Sequence, residues 1–198
     1  MKIGKIGISK KVTGLFMAGV LVYVFSIGIA YIVISDLITI TREMDVTVRK
    51  VSLTGDLKFY INKLLEPANN YLITGKIEER DRFDTLIGNI SQIFKELEAY
   101  KGGAEWDRIA EKVKKDAVKF GQMAVEILFI ENPVRNKKAA ELIKELSAFA
   151  DGLVKEADKF HNIAAADMER KRKEAERERN IVQTFSIAVM AIAFLSLV

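Results

Sequence analysis

The sequence of 198 residues is poor in residues that interrupt helices or carry redox and metal chemistry. It contains no cysteine, so neither a disulfide framework nor a cysteine-based metal site is available. It contains one histidine, His161, and a single histidine does not make a zinc site by itself, so a structural or surface role is expected. Two prolines and 12 glycines are few helix breakers for this length, which favours long helices.

The charge of the chain is unevenly distributed. The formal net charge is +4, and it equals the contribution of four lysines before the first apolar run: Lys2, Lys5, Lys10 and Lys11. Residues 36–180 contain 27 basic and 27 acidic residues and therefore carry no net charge. A nucleic-acid-binding domain carries a basic excess on its folded surface. The charge distribution therefore argues against a nucleic-acid partner.

Two uncharged apolar runs predict two membrane-spanning helices. Residues 12–35 would form a helix of roughly 36 Å, longer than the hydrocarbon core of about 30 Å. A cleaved signal peptide is the alternative, but its apolar region is shorter and needs a small-residue cleavage site, which "YIVISDL" lacks. Residues 181–198 would extend roughly 27 Å. We expect them to be a second span cut before its far flank, in a fragment of a longer chain.

The basic residues beside the spans predict their orientation. Residues 1–11 carry four lysines and no acid, whereas residues 36–48 carry only Arg42 as a basic residue. The positive-inside rule then places residues 1–11 in the cytoplasm and residues 36–180 outside it. Residues 169–179 oppose this assignment, because they place six basic residues next to the second span. The first helix usually dominates the topology, so a cytoplasmic N-terminus is retained.

The region between the spans is predicted to be helical throughout, because its apolar residues recur at steps of three and four. The first helix is expected to kink at Pro67 and to end at Gly75. The second is expected to run over residues 78–100, and the third to follow the break at residues 102–103. Helices joined by short connections pack alternately up and down. The predicted fold is therefore all-α: an antiparallel up-down-up-down four-helix bundle carried on two transmembrane helices.

Two local details are also predicted. The buried face of the first helix is expected to begin with Leu37, Ile40, Met44, Val48 and Val51, with a change of phase between Val51 and Leu57. The fourth helix is expected to start with Asn132 as its N-cap and Pro133 as its first helical residue.

The order of elements resembles the N-terminal half of a bacterial methyl-accepting chemotaxis receptor with a four-helix-bundle sensing module. A short basic N-terminus is followed by a span, about 145 outer residues in four helices, and a second span. The stretch "NNYLITGKIEERDRF" resembles the first hairpin turn of that module, where a Tyr-Leu-x-Thr-Gly ending closes the first helix. The resemblance covers nearly the whole chain. Transmembrane histidine kinases and cyclic-di-nucleotide enzymes carry similar modules.

The resemblance implies a ligand-sensing input module of a homodimeric receptor in the bacterial inner membrane. It also implies a HAMP-type relay and a cytoplasmic signalling domain, with cytoplasmic partners, after the second span. Residues 153–198 lack glycine and proline, so the fourth helix can transmit a small slide or rotation. Two alternatives stay open: the same module on a histidine kinase or cyclic-di-nucleotide enzyme, and a structural membrane-anchored bundle that senses nothing.

No catalytic constellation, cofactor-binding motif or metal site is indicated, so we expect a segment that is not itself an enzyme. The candidate ligand-binding residues lie at the end of the bundle far from the membrane, on the kinked helix and at the start of the fourth. They are Asn69, Asn70, Tyr71, Arg135, Lys137 and Lys138. Cationic side chains near a helix N-terminus suit a small anion. The alternative is an ordinary solvated tip.

Overall fold

A computed structural model describes residues 8–100 and 102–195, and all regular secondary structure in these ranges is α-helical. The helices are α1 (Ile8–Lys63), α2 (Leu65–Thr74), α3 (Glu78–Leu97), α4 (Ala104–Leu128) and α5 (Lys137–Leu195). The chain divides into two compact units. Asp45–Arg170 form one, called the bundle below, and the segments up to Met44 and from Lys171 form the other.

Ion pairs between neighbouring helices define the order of the bundle. Arg49 pairs with Glu96, while Glu66 pairs with Arg82, so residue numbers rise along the first layer as they fall along α3. This is the pattern of antiparallel neighbours. The remaining neighbours are joined by Glu98–Lys114, Lys112–Glu156 and Lys58–Asp158, with N–O distances of 2.5 to 2.8 Å. The predicted all-α class and the four packed helices are confirmed, with α1 and α2 sharing one layer.

The bundle is held by one continuous apolar cluster to which every helix contributes. Fully burying a large aliphatic or aromatic side chain stabilises the folded state by about 1.5 to 3 kcal/mol. The largest fully buried side chains are Leu57, Leu64, Phe83, Ile109, Val113, Phe120, Ile127, Leu128, Leu146, Leu153 and Phe160, together with the hydroxyl-bearing Thr54. Trp106 also lies in this core and is 6% exposed.

The predicted kink of the first bundle helix is a one-residue break between α1 and α2. Pro67 has no amide hydrogen, so the carbonyl of Lys63 loses its partner four residues later. Leu64 forms a turn instead, and its N–H donates to the carbonyl of Ile61 at 3.2 Å. Leu64 and Pro67 are both buried. The break therefore interrupts the helix, while the chain on both sides of it stays packed in the same layer of the bundle.

The predicted buried face of the first bundle helix is wrong in its first turns. Val48 is 50% exposed, whereas Thr47 and Lys50 are 4% and 7% exposed. The predicted change of phase does not occur, because α1 keeps its helical period without interruption. Helical steps back from the buried Leu57 lead through Thr54 to Lys50 and Thr47. The packing of α1 thus buries the polar Thr47 and Lys50 in the turns where the apolar pattern predicted a buried Val48.

The predicted start of the fourth helix is also wrong. Asn132 has a φ of 55°, outside the helical region, and Pro133 is buried in the connection. Helix α5 begins at Lys137. The side-chain oxygen of Asn136 accepts a hydrogen bond from the N–H of Ala139 at 3.2 Å, which is the N-cap arrangement. Asparagine therefore caps the helix as predicted, but four residues later.

Helix α3 ends at Leu97, three residues before the predicted boundary at residue 100. The N–H groups of Ala99 and Tyr100 donate to carbonyls three residues back, at 3.1 and 3.0 Å, so the last turn tightens and the helix stops. Gly103 is extended and α4 starts at the next residue, which confirms the predicted break.

The second unit contains the apolar first part of α1. Its large side chains are exposed, among them Phe16, Phe25 and Tyr31. One segment near the N-terminus is long and apolar enough to cross a membrane, a test that a signal sequence also passes. No second such segment is found among the described residues. The last residues of the predicted second span, 196–198, lie outside them.

Candidate functional site

The end of the bundle that carries the candidate residues is formed by two connections, residues 75–77 and 129–136, called the tip below. Gly75 ends α2 with a φ of 68°, and its N–H donates to the carbonyl of Tyr71 at 2.8 Å. A Cβ at Gly75 would lie 3.5 Å from the Val134 side chain and 4.0 Å from Pro133. The two connections therefore pack on each other, and the left-handed conformation needed there favours glycine.

Tyr71 joins the two connections by hydrogen bonds. Its side chain is buried, and its hydroxyl donates to the carbonyl of Ile130 at 2.8 Å. The same hydroxyl accepts a hydrogen bond from Nη2 of Arg80 at 2.9 Å. Both polar roles of this hydroxyl are filled from within the chain. Tyr71, predicted as a ligand-binding residue, has the contacts of a structural cross-link.

Arg80 is the central cation of the tip, and the sequence analysis did not single it out. Its guanidinium carbon lies 5.3 Å from the centre of the Tyr71 ring and 4.8 Å from that of Phe129. These distances are within the range of cation–π attraction. Nε of Arg80 is buried and has no hydrogen-bond partner among the described residues. The charge-rich start of α3 carries no pattern that distinguishes Arg80 from its neighbours, so only packing identifies it.

The other candidate residues do not converge on one site. Asn69 is exposed and Asn70 is half-buried, and the three basic residues are exposed, one in the connection before α5 and two in its first turn. No hydrogen bond or ion pair in the described part of the chain joins the asparagines to these basic residues, which are Arg135, Lys137 and Lys138. Arg135 has a φ of 62°, a conformation uncommon for a side chain of this size. The tip is thus a packed connection with a basic rim.

A group of ion pairs lies between the first layer and α3. Glu66 accepts hydrogen bonds from Lys63 and from Arg82, each at 3.2 Å. The Lys63 hydrogen bond, followed by that of Arg82, lowers the pKa of Glu66. Arg82 also donates to Glu79 at 2.9 Å, and the hydrogen bond to Glu66 is the main reason why the pKa of Arg82 is raised. These paired groups join the helices and leave no charge of the group unpaired for a ligand.

A second polar group lies at the opposite end of the bundle. The ammonium of the buried Lys50 lies 4.8 Å from the centre of the Trp106 ring. The Thr54 hydroxyl donates to the carbonyl of Lys50 at 2.9 Å and lies 3.2 Å from Nδ1 of His161. When that hydroxyl proton serves the carbonyl, Nδ1 of His161 must be the donor. His161 therefore packs between α1 and α5 with a structural hydrogen bond.

Comparisons of the chain with protein-family models, curated protein sequences and solved structures found no match. The described residues also contain no group of three or more histidine, aspartate or glutamate side chains placed to hold a metal ion. The functional interpretation therefore rests on the geometry above and on the sequence pattern.

Proposed function

We propose that this chain is the ligand-sensing input module of a bacterial transmembrane chemoreceptor. The extent of α1 and α5 carries the proposal. Each helix supplies residues to the bundle and also to the second unit, and the extension of α1 contains the segment long and apolar enough to span a membrane. A soluble four-helix bundle needs no such extension. The resemblance of residues 69–83 to the hairpin turn of a receptor module supports the same function.

In this proposal, residues 12–35 and 181–198 cross the bacterial inner membrane, with residues 1–11 in the cytoplasm and residues 36–180 outside it. The lysines of the N-terminus support this orientation. Because the chain has no cysteine, Ser9→Cys and Gly103→Cys each create a unique label site. In intact cells, an impermeant maleimide should label only the Gly103 variant. Labelling of the Ser9 variant alone would overturn the orientation.

Signal transmission would use the side of the bundle where α1 meets α5. Two polar contacts lie there, the Lys58–Asp158 ion pair at 2.8 Å and the contact between Thr54 and His161. Exposed ion pairs contribute about 0 to 1 kcal/mol, so a small displacement of α5 along α1 costs little in polar contacts. The bundle would exist in two packings that differ in the position of α5. A ligand would shift the equilibrium between them to the extent that it binds one more tightly than the other. A homodimer would present this side twice, and cytoplasmic signalling partners would respond to the inner end.

Two other functions compete with this one. The same module on a histidine kinase or a cyclic-di-nucleotide enzyme would use the same transmission with a different output. A structural membrane-anchored bundle would transmit nothing. Interrupting α5 would distinguish the structural alternative from the other two, because only a transmitting module should lose output when this helix is broken.

A chimera tests transmission. Residues 1–198 are fused to the cytoplasmic part of a chemoreceptor whose kinase output is known, and output is measured with a set of amino acids and small carboxylates. Ala175→Pro would break α5, because proline removes a backbone hydrogen bond and clashes with the preceding turn. Ala175→Leu keeps the helix and is the matched control.

We expect the proline variant to change the basal kinase output and to abolish any response, while the leucine variant behaves as the parent. Equal basal output from all three chimeras, with no response to any compound, would favour the structural alternative. Bundle folding is followed separately through Trp106 fluorescence, since this residue is buried in the core.

A further inference from the structure

Two contacts join the helices along each side of the bundle. They are polar or cation–π contacts where α3 meets the α1–α2 layer, where α4 meets α5 and where α1 meets α5. Along the α3–α4 side, the Glu98–Lys114 ion pair at 2.7 Å lies at the end near the connection between these helices, and the Arg80–Phe129 cation–π contact at 4.8 Å lies at the other end. No other hydrogen bond or ion pair between described residues crosses that side. The part between these two contacts is open.

An apolar groove of about 710 Å³ lies along this open part, between α3 and α4. Its buried floor includes Phe83 and Phe94, and the exposed side chains of Val118 and Val125 form one edge. Drug-sized ligands occupy pockets of about 300 to 1,000 Å³ that are mostly apolar with a few polar groups. The groove has the volume and lining of such a site.

Charged groups distinguish the two ends of the groove. Lys95 and Lys114 lie at one end with Glu98, whereas Asp84 lies at the other. Lys114 is already paired with Glu98, which leaves Lys95 as the second cation of the groove lining at that end. Lys95 follows Asp84 by eleven residues on α3, a distance of about 16 Å along the helix. The groove therefore fits a linear apolar molecule with one anionic group at the lysine end.

Gly121 keeps the middle of the groove open. A Cβ at this position would lie 3.6 Å from Cδ1 of Ile87, an ordinary contact, so packing does not require glycine there. Glycine inside a helix is less favourable than alanine by about 1 kcal/mol. The absent side chain leaves space in the groove wall that a larger residue would fill.

We propose that the α3–α4 groove binds an amphipathic carboxylate, with its chain along the groove and its carboxylate beside Lys95. The carboxylate is hydrogen-bonded and paired by Lys95, and the chain leaves water for the apolar walls. This binding stands independently of the proposed receptor function, because the groove lies wholly within the bundle.

The test uses full chains in native membranes, with decanoate as the probe and a unique cysteine as the reporter. Val118→Cys places the reporter on the edge of the groove, and Phe59→Cys places one on an exposed position of α1. Decanoate should slow maleimide alkylation of the Val118 variant several-fold and leave the Phe59 variant unchanged. No slowing of the Val118 variant, or equal slowing of both, would overturn the proposal.

Two further changes, each combined with Val118→Cys, locate the bound probe. Gly121→Leu should abolish protection by filling the groove while preserving the helix, and Gly121→Ala should retain most of it. Lys95→Gln should weaken protection by about tenfold, as expected for the loss of one charge-assisted hydrogen bond, whereas Lys155→Gln on α5 should not. Unchanged protection in the Gly121→Leu variant would exclude the groove as the site.

A second copy of the chain is the competing occupant. Protection of the Val118 variant without decanoate that increases with expression level would identify the groove as a contact between copies and would overturn the ligand proposal. Decanoate should protect the Val118 variant, whereas decylamine and butyrate should not. This pattern is expected because the site distinguishes ligands by head group and by chain length.

Discussion

Helix α1 exposes large apolar side chains in its first part and buries them in its last part. Phe25 and Tyr31 are 68% and 76% exposed, whereas Leu53 and Leu57 are 2% and 0% exposed. Both parts belong to one uninterrupted helix, so the difference does not arise from backbone conformation. The difference arises from the apolar pattern, because residues 12–35 are apolar on every side of the helix, whereas the bundle part is apolar on one side. A helix apolar all round needs a surrounding apolar solvent or a complete protein shell.

The largest expected effect comes from removing a side chain of the bundle core. Phe120→Ala should lower the free energy of unfolding by about 3 to 5 kcal/mol, because Phe120 is fully buried and the change leaves a cavity. Phe25→Ala in the exposed part of α1 should leave the unfolding of the bundle unchanged. Urea denaturation of the full chain in membrane mimetics, followed by Trp106 fluorescence, measures both. Equal destabilisation by the two changes would remove the distinction between the two parts of α1.

An introduced carboxylate should have its larger effect in the first part of α1, where removal of a large side chain has the smaller effect. Ile27→Asp should oppose membrane insertion by about 2.5 to 3.5 kcal/mol, because a carboxylate near the centre of a span loses its hydration. Phe59→Asp is the control on an exposed position of the bundle and should insert as the parent chain does. The fraction of chain resistant to carbonate extraction measures insertion. Full insertion of the Ile27 variant would contradict the assignment of residues 12–35 as a span.

A smaller effect is expected at the tip. Tyr71→Phe removes the hydroxyl that contacts Ile130 and Arg80, so we expect a loss of about 1 to 3 kcal/mol in the free energy of unfolding. Tyr60→Phe is the control, because no hydrogen bond of the Tyr60 hydroxyl is found in the described part of the chain. The same urea titration compares the two variants. Equal stability of both would show that the cross-link between the connections is energetically unimportant.

The smallest expected effect is the dependence of bundle stability on pH. Hydrogen bonds from Lys63, Arg49 and Lys114 lower the pKa values of Glu66, Glu96 and Glu98, respectively. A carboxyl group whose pKa is lowered by folding stabilises the protein above its unfolded pKa of about 4.3. That contribution disappears as the pH falls through the lower, folded pKa.

The urea midpoint should therefore decrease as the pH falls below about 5, and Glu96→Gln should reduce this decrease. Glu141→Gln, at an exposed position on α5, is the control. Because these groups are exposed, added salt should reduce the dependence in the parent chain. A midpoint that rises on acidification would show that other groups determine the pH response.

The helices and their connections were largely predictable because their signals are local. The glycines at 75 and 102–103 and the proline at 67 mark chain breaks through their own backbone preferences. The start of α5 was not predictable in the same way. Asn132 and Asn136 are both competent N-caps, and the packing of Pro133 in the tip decides between them.

The candidate site was less predictable than the fold. Six polar residues were selected by their position at one end of the bundle, and the structure uses Tyr71 internally while leaving most of the others exposed. Arg80 has no sequence pattern that separates it from the other charges at the start of α3. The groove between α3 and α4 depends on which side chains of these two helices meet, and that is a property of the packing register.

The sequence by itself determined the all-α class, the number of packed helices and the presence of an apolar segment long enough for a membrane, because each follows from local periodicity and breakers. Only the tertiary structure decided that Thr47 and Lys50 are buried whereas Val48 is exposed, that Tyr71 joins two connections, and that a groove lies between α3 and α4. Helix periodicity defines a face only to within one residue. The facing helices select which side chains lie inside it, through contacts distant in the chain.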